Sequence, residues 1–121
     1  MFEFNKQEQQ NLNAYSNELR VEQLENKNQF LMEGSEKAIF QSYNSIIAIY
    51  NKENDDLTLG RDWDYSNTTR KHLYIFLDRM FRYSWSNLKE DIMSALATSN
   101  KRKSIQILID NNIIKYDENL F

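Results

Sequence analysis

Along the stretch from Ser42 to Leu77 the apolar positions stop alternating and begin to recur at the helical repeat of about 3.6 residues, with the change at Ser66. Upstream of it, β-branched and aromatic residues lie between clusters of Asn, Ser, Asp and Gly. That pattern predicts strands over Ala38 to Tyr43 and Ile46 to Asn51, joined through Asn44 and Ser45. A third strand is expected over Leu57 to Leu59 with Asp62 to Asp64, interrupted near Gly60, where alternation places Trp63 and Tyr65 on one face. Three antiparallel strands in a meander are the economical arrangement.

Downstream of Ser66, the residues Leu73, Phe76, Leu77, Met80 and Phe81 recur at helical spacing, and Ser66 or Asn67 can cap the helix. A second helix is expected to restart at Ser84 or Ser86 and run through Leu88, Ile92, Met93 and Leu96. Its first turns hold Glu90 and Asp91, where carboxylates favour the helix dipole. The basic run Lys101-Arg102-Lys103 then precedes a third helical segment, Ile105 to Ile109. Asn111-Asn112 turns the chain into a short strand, Ile113 to Tyr116, placed to extend the sheet as a fourth, edge strand.

The first 33 residues are polar and rich in Gln, Asn and Glu. Leu12, Tyr15 and Leu19 share one helical face, and Val21, Leu24 and Leu31 share a second. This predicts a long helix from Lys6 to Met32, closed by Gly34 and Ser35. The expected architecture is therefore α+β: an N-terminal helix over residues 1–33, and a single domain over residues 34–121. In that domain the meander packs against two or three C-terminal helices.

Composition narrows the chemistry. A chain of 121 residues suffices for one modest core. The absence of cysteine excludes disulfides and thiolate metal sites, and one histidine excludes a multi-imidazole zinc site. No nucleophile elbow or glycine-rich phosphate loop is present, so the expectation is a non-enzyme without a cofactor. No window approaches the roughly 18 apolar residues of a membrane span, and the opening residues do not form a signal peptide. This places the protein in the cytoplasm of its host. Abundant Asn, Lys, Ile, Tyr and Phe with no Pro match AT-rich codons and a low-GC bacterium or its mobile elements.

Four constellations are candidates for function. Asn67-Thr68-Thr69-Arg70-Lys71-His72 puts hydroxyls and cations at a helix start, where an anion can bind but where capping accounts for the same residues. Glu53, Asp55, Asp56, Asp62 and Asp64 form an acid-rich stretch able to imitate a nucleic-acid backbone and compete for a basic groove. Among the aromatics Trp63, Tyr65, Tyr74, Phe76, Phe81, Tyr83 and Trp85, Tyr74 flanks the apolar stripe of its helix. With Arg82 and Lys71 it offers an aromatic and cationic patch. The bases Arg79, Arg82, Lys89, Lys101, Arg102 and Lys103 can meet phosphates. The net charge of −3, however, argues against direct nucleic-acid binding.

The residues Phe40-Gln41-Ser42-Tyr43, Ile47-Ala48, Trp63-Asp64-Tyr65-Ser66-Asn67-Thr68-Thr69-Arg70-Lys71-His72 and Phe76-Leu77 resemble a family of small domains in phages and mobile elements of low-GC Gram-positive bacteria. Some of its members look like anti-CRISPR inhibitors. The resemblance implies a phage-encoded inhibitor that binds a type II CRISPR effector nuclease, or its guide-RNA complex, stoichiometrically as a monomer or dimer. The expected contact residues are Glu53, Asp55, Asp56, Asp62, Asp64, Tyr74 and Arg82. The alternatives are a small nucleic-acid-binding regulator, or a phage structural or scaffold protein oligomerising through the N-terminal helix.

Overall fold

A computed structural model of the chain describes residues 20–24 and 27–120. Six strands form one sheet in sequence order: β1 (Arg20–Gln23), β2 (Gln29–Glu33), β3 (Lys37–Ser42), β4 (Ser45–Asn51), β5 (Asp56–Gly60) and β6 (Lys115–Asp117). The first five are an antiparallel meander, and β6 adds parallel to β5 at the edge. Three helices follow β5: α1 (Asn67–Phe81), α2 (Lys89–Leu96) and α3 (Lys101–Asp110).

The expected N-terminal helix is corrected by this arrangement. Arg20–Gln23 and Gln29–Glu33 are the paired strands β1 and β2, while the earlier part of that helix lies outside the described residues. The apolar spacing of Val21, Leu24 and Leu31 is too sparse to separate a helix from two short strands. Long-range pairing decides: Ala38 and Phe40 on β3 are fully buried, and β2 covers their outer side in the register Leu31↔Phe40 and Glu33↔Ala38. Lys27 and Asn28 turn the chain, and the Leu24 amide donates to the Gln29 carbonyl at 2.7 Å. Among the described residues the sheet thus has six strands where three or four were expected.

The core lies between the sheet and α1. Phe40 on β3 stacks against Phe76 with ring centroids 5.9 Å apart, and Tyr50 on β4 meets Phe81 at 4.7 Å. Burying each such side chain stabilises the fold by about 1.5–3 kcal/mol. Between Phe40 and Gln41 the register shifts, leaving Ile47 without a partner across the pair, so that Ile47 and Ala48 are both buried.

After Gly60 the expected third strand does not resume. The Trp63 amide donates to the Gly60 carbonyl and the Tyr65 amide to that of Asp62, both at 3.1 Å, so residues 61–64 are turns. Trp63 therefore enters the core while Tyr65 points to solvent, and the two do not share a face. Alternation holds only while the backbone stays extended, and here it does not.

The basic run lies inside the first turn of α3, which Asn100 caps by accepting from the Lys103 amide at 3.1 Å. Asn112 ends that helix with φ of 59°. The Ile113 amide donates to Leu108 and the Asn112 amide to Ile109, the paired closing bonds of a left-handed helix stop. That reversal sends the chain back to β5 as β6. No helix among the described residues is long and apolar enough to cross a membrane.

Candidate interaction surface

Asp55 holds the centre of one end of the molecule. It sits in the turn between β4 and β5 with φ of 55°, a conformation Asp tolerates better than most residues. Its carboxylate accepts from the Tyr50 hydroxyl at 2.6 Å, from the Ser86 hydroxyl, and from the Asn87 amide at 2.8 Å. Burial alone would raise its pKa, but the bonds from Ser86, Tyr50 and Asn87 outweigh that and hold the carboxyl below its usual range. On the other side of the same bond, burial and the Asp55 carboxylate push the Tyr50 phenol up.

The consequence is a loop fixed at both ends. Between α1 and α2, the Ser84 amide and hydroxyl both donate to the Phe81 carbonyl at 3.2 Å. The Ser86 amide donates to Ser84 Oγ at 3.3 Å, and the Leu88 amide to Ser86 Oγ at 2.9 Å. The two serines thus serve the loop and do not start a helix. On this braced segment Tyr83 is 90% exposed and Trp85 101% exposed. Trp85 borders a depression of about 500 Å³ that also touches Tyr50, Lys52, Asp55 and Arg79. Large aromatic rings left in water while their backbone is held in place are unusual for a monomer.

The remaining acidic residues are dispersed. Asp56 pairs with Lys115 at 2.9 Å and ties β6 to β5. Asp62 accepts from the Ser45 hydroxyl at 3.1 Å, and Asp64 pairs with Arg102 at 2.9 Å, bracing α3 against the turn before α1. Glu53 is exposed. Asp55 and Asp56 stand at the opposite end of β5 from Asp62 and Asp64, so the five carboxylates do not form one surface. Four of them are engaged within the chain. Among the described residues, no group of three or more His, Asp or Glu can hold a metal ion.

Tyr74 and Arg82 are brought together. Both line a groove of about 460 Å³ on the exposed side of α1, bounded by Met93 and Leu96 of α2 and Lys101 of α3. Tyr74 is half-buried; burial raises its pKa, with Arg70 and Arg102 opposing. Arg82 donates to Asp78 one helical turn earlier, with Nε at 2.9 Å.

The helix-start cluster is a cap. Ser66 Oγ accepts from the Thr69 amide at 3.1 Å, and Arg70 donates to the Asp64 carbonyl at 2.8 Å as well as to the Asn67 side chain. Thr69 and His72 are buried. His72 Nδ1 lies 2.8 Å from the Thr68 carbonyl, which can only accept, so Nδ1 is the donor in this contact. His72 Nε2 has no partner.

Sequence reasoning placed Tyr83 and Trp85 in the aromatic set without separating them from Trp63, Phe76 and Phe81, which the core takes. The available signal was local: Trp85 stands between two serines, in a break between helical patterns.

Residues 5–94 match the profile of a family of unknown function (DUF8033), and the chain belongs to that family. Neither a search of curated proteins nor one of solved structures found a match.

Proposed function

We propose that this DUF8033 domain acts by stoichiometric binding to another protein, with Trp85 and Tyr83 as its anchors. One observation carries the reading: Trp85 is fully exposed on a loop that Asp55, Ser84 and Ser86 hold in a single shape. Trp and Tyr dominate the binding energy of protein interfaces. A loop ordered before binding avoids the entropy cost that mobile loops incur. The partner we propose is the one the motif resemblance implies, a type II CRISPR effector nuclease or its guide-RNA complex, met in the cytoplasm of the bacterial host.

The dispersal of the carboxylates favours an aromatic contact over an acidic imitation of nucleic acid. Glu53 is the acidic residue best placed to take part, since it is exposed on the same β4–β5 turn as Asp55. Target cleavage by a panel of purified type II effectors, with and without the protein, tests the proposal. Inhibition by the native chain that is lost in Trp85→Ala supports it; undiminished cleavage across the panel, or inhibition that survives Trp85→Ala with Tyr83→Ala, refutes it. The alanine variants are expected to fold normally, because neither ring is packed.

A second reading has its own observation. Lys89 lies beside Tyr83 and Trp85 in a depression of about 600 Å³, so the rings can stack on single-stranded bases while the cation meets a phosphate. That reading requires an affinity that falls steeply as salt rises. An absence of binding to labelled oligonucleotides at low salt removes it.

A further inference from the structure

At the far end of the sheet from Trp85, the turn between β3 and β4 faces the start of α1 across a cleft of about 590 Å³. Two tyrosines line it, Tyr43 from the hairpin turn and Tyr65 from the β5–α1 connection, and they are 56% and 78% exposed. Between them the walls carry hydroxyls from Ser42, Ser45, Ser66 and Thr68, and the Asp62 carboxylate. We infer that this cleft binds a neutral polyhydroxylated ligand, a saccharide, with the tyrosine rings against its C–H faces and Asp62 and the serine hydroxyls on its O–H groups.

The charge of the lining selects this class. Among the described residues no Lys, Arg or His borders the cleft, although Arg70, Lys71 and His72 follow Thr69 directly in sequence. Arg70 is turned away onto the Asp64 carbonyl and Asn67, and His72 is buried. Among the described lining residues the one acidic or basic side chain is Asp62, and a carboxylate repels a phosphate or carboxylate ligand where no countercharge lines the site. It also accepts readily from an alcohol: one of its oxygens already takes the Ser45 hydroxyl at 3.1 Å. Few placed polar groups among aromatic surfaces are the usual make-up of a small-molecule site.

Two features of the backbone and core support the same assignment. Tyr43 has φ of 53°, a region that bulky residues rarely occupy and that Gly or Asn would enter at lower cost. The hairpin thus tolerates strain to carry a ring at the mouth of the cleft. Its floor is polar, with Ser42 Oγ and Thr69 Oγ1 3.3 Å apart; outside the lining, Gln29 pairs with Ser42 across β2 and β3. Both polar atoms of the Gln29 side chain are buried without partners. A fold selected for stability alone would fill such positions with apolar groups.

Titration of the ¹⁵N-labelled chain with neutral mono- and disaccharides of glucose, galactose and N-acetylglucosamine tests the inference. Inorganic phosphate and adenosine monophosphate serve as separate arms. Saturable shifts at the amides of Tyr43, Asn44, Ser45, Tyr65 and Thr68 with at least one sugar are expected, with no saturation by phosphate. Tyr65→Ala and Asp62→Asn should each weaken that sugar by about tenfold or more. Tyr65 is exposed, so its alanine variant should keep the native melting temperature. Saturation by phosphate or the nucleotide but not by any sugar overturns the inference, as does a sugar response that Tyr65→Ala leaves intact, or silence in every arm.

Discussion

Replacing Asp55 should loosen the loop that carries Trp85, and three substitutions separate the causes. Asp55→Asn keeps the shape and the tolerance for φ of 55°, but it converts the bonds from Tyr50 and Ser86 to neutral ones and sets an amide group against the Asn87 donor. Hydrogen bonds to a charged acceptor contribute about 1.5–3 kcal/mol and neutral ones about 0.5–1.5 kcal/mol. With a discount because the carboxylate is partly exposed, the expected loss is about 1.5–3 kcal/mol. Asp55→Gly removes all three bonds without backbone strain. Asp55→Ala removes them and adds a left-handed alanine, about 1 kcal/mol worse than glycine.

Urea or thermal denaturation reads the totals, at about 3–6 °C per kcal/mol for a domain of this size. Hydrogen exchange at the Asn87 amide reads the loop directly, since that amide donates to Asp55 Oδ2. The pH dependence follows from the same contacts. The folded pKa of Asp55 is depressed, so its contribution is complete above the unfolded carboxylate value of about 3.9 and is lost as pH falls through the folded value. The folded pKa of Tyr50 is raised, so its contribution is complete below about pH 10 and is lost as pH rises through the folded value. Asp55→Asn should abolish the acidic component. If Asn87 exchange and the unfolding midpoint are both unchanged in Asp55→Asn, Asp55 does not brace the loop.

Two further substitutions probe the frame. A Cβ at Gly60 would lie 2.7 Å from the Ile46 carbonyl oxygen and 3.3 Å from Leu120 Cβ, so Gly60→Ala should cost about 1–3 kcal/mol in denaturant unfolding; an unchanged midpoint would show that β4 and β5 are not in such close approach. Gln29→Met substitutes a similar shape for a buried amide with no partners and should raise stability by about 1–2 kcal/mol. A fall in its melting temperature would mean that the amide is hydrogen-bonded in solution, through an ordered water.

Legibility in the sequence varied with the range of the interaction responsible. β3, β4 and α1 were readable because their signals are local and redundant: alternation in Ala38-Ile39-Phe40, the Ser66 cap, and the stripe from Leu73 to Phe81. The edge strand after Asn111-Asn112 was readable for the same reason, since asparagine can replace glycine at a left-handed helix stop. The hairpin β1–β2 was not, because its few apolar residues fit two periods and the choice between them is made by β3. At the candidate sites, helical spacing suggested a patch of Tyr74, Arg82 and Lys71; Tyr74 and Arg82 line one groove, and Lys71 does not border it. The acidic set was grouped by proximity in sequence, and β5 separates its members.

What the sequence determined by itself was the conformation of β3, β4 and α1, the absence of thiol chemistry, and the residues that cap α1. Periodicity and capping depend on neighbours within a turn or two, so no distant contact is needed to read them. Tertiary structure alone decided which of the two tryptophans is buried. Trp63 and Trp85 are the same residue type in similarly polar surroundings, yet one is 3% exposed and the other 101%. Trp63 enters the core because a turn at Gly60 rotates it inward. Trp85 stays out because Asp55, 30 positions earlier in the chain, holds its loop through Ser86 and Asn87. Closing a contact over that separation is a property of the assembled sheet and helices, and no local pattern encodes it.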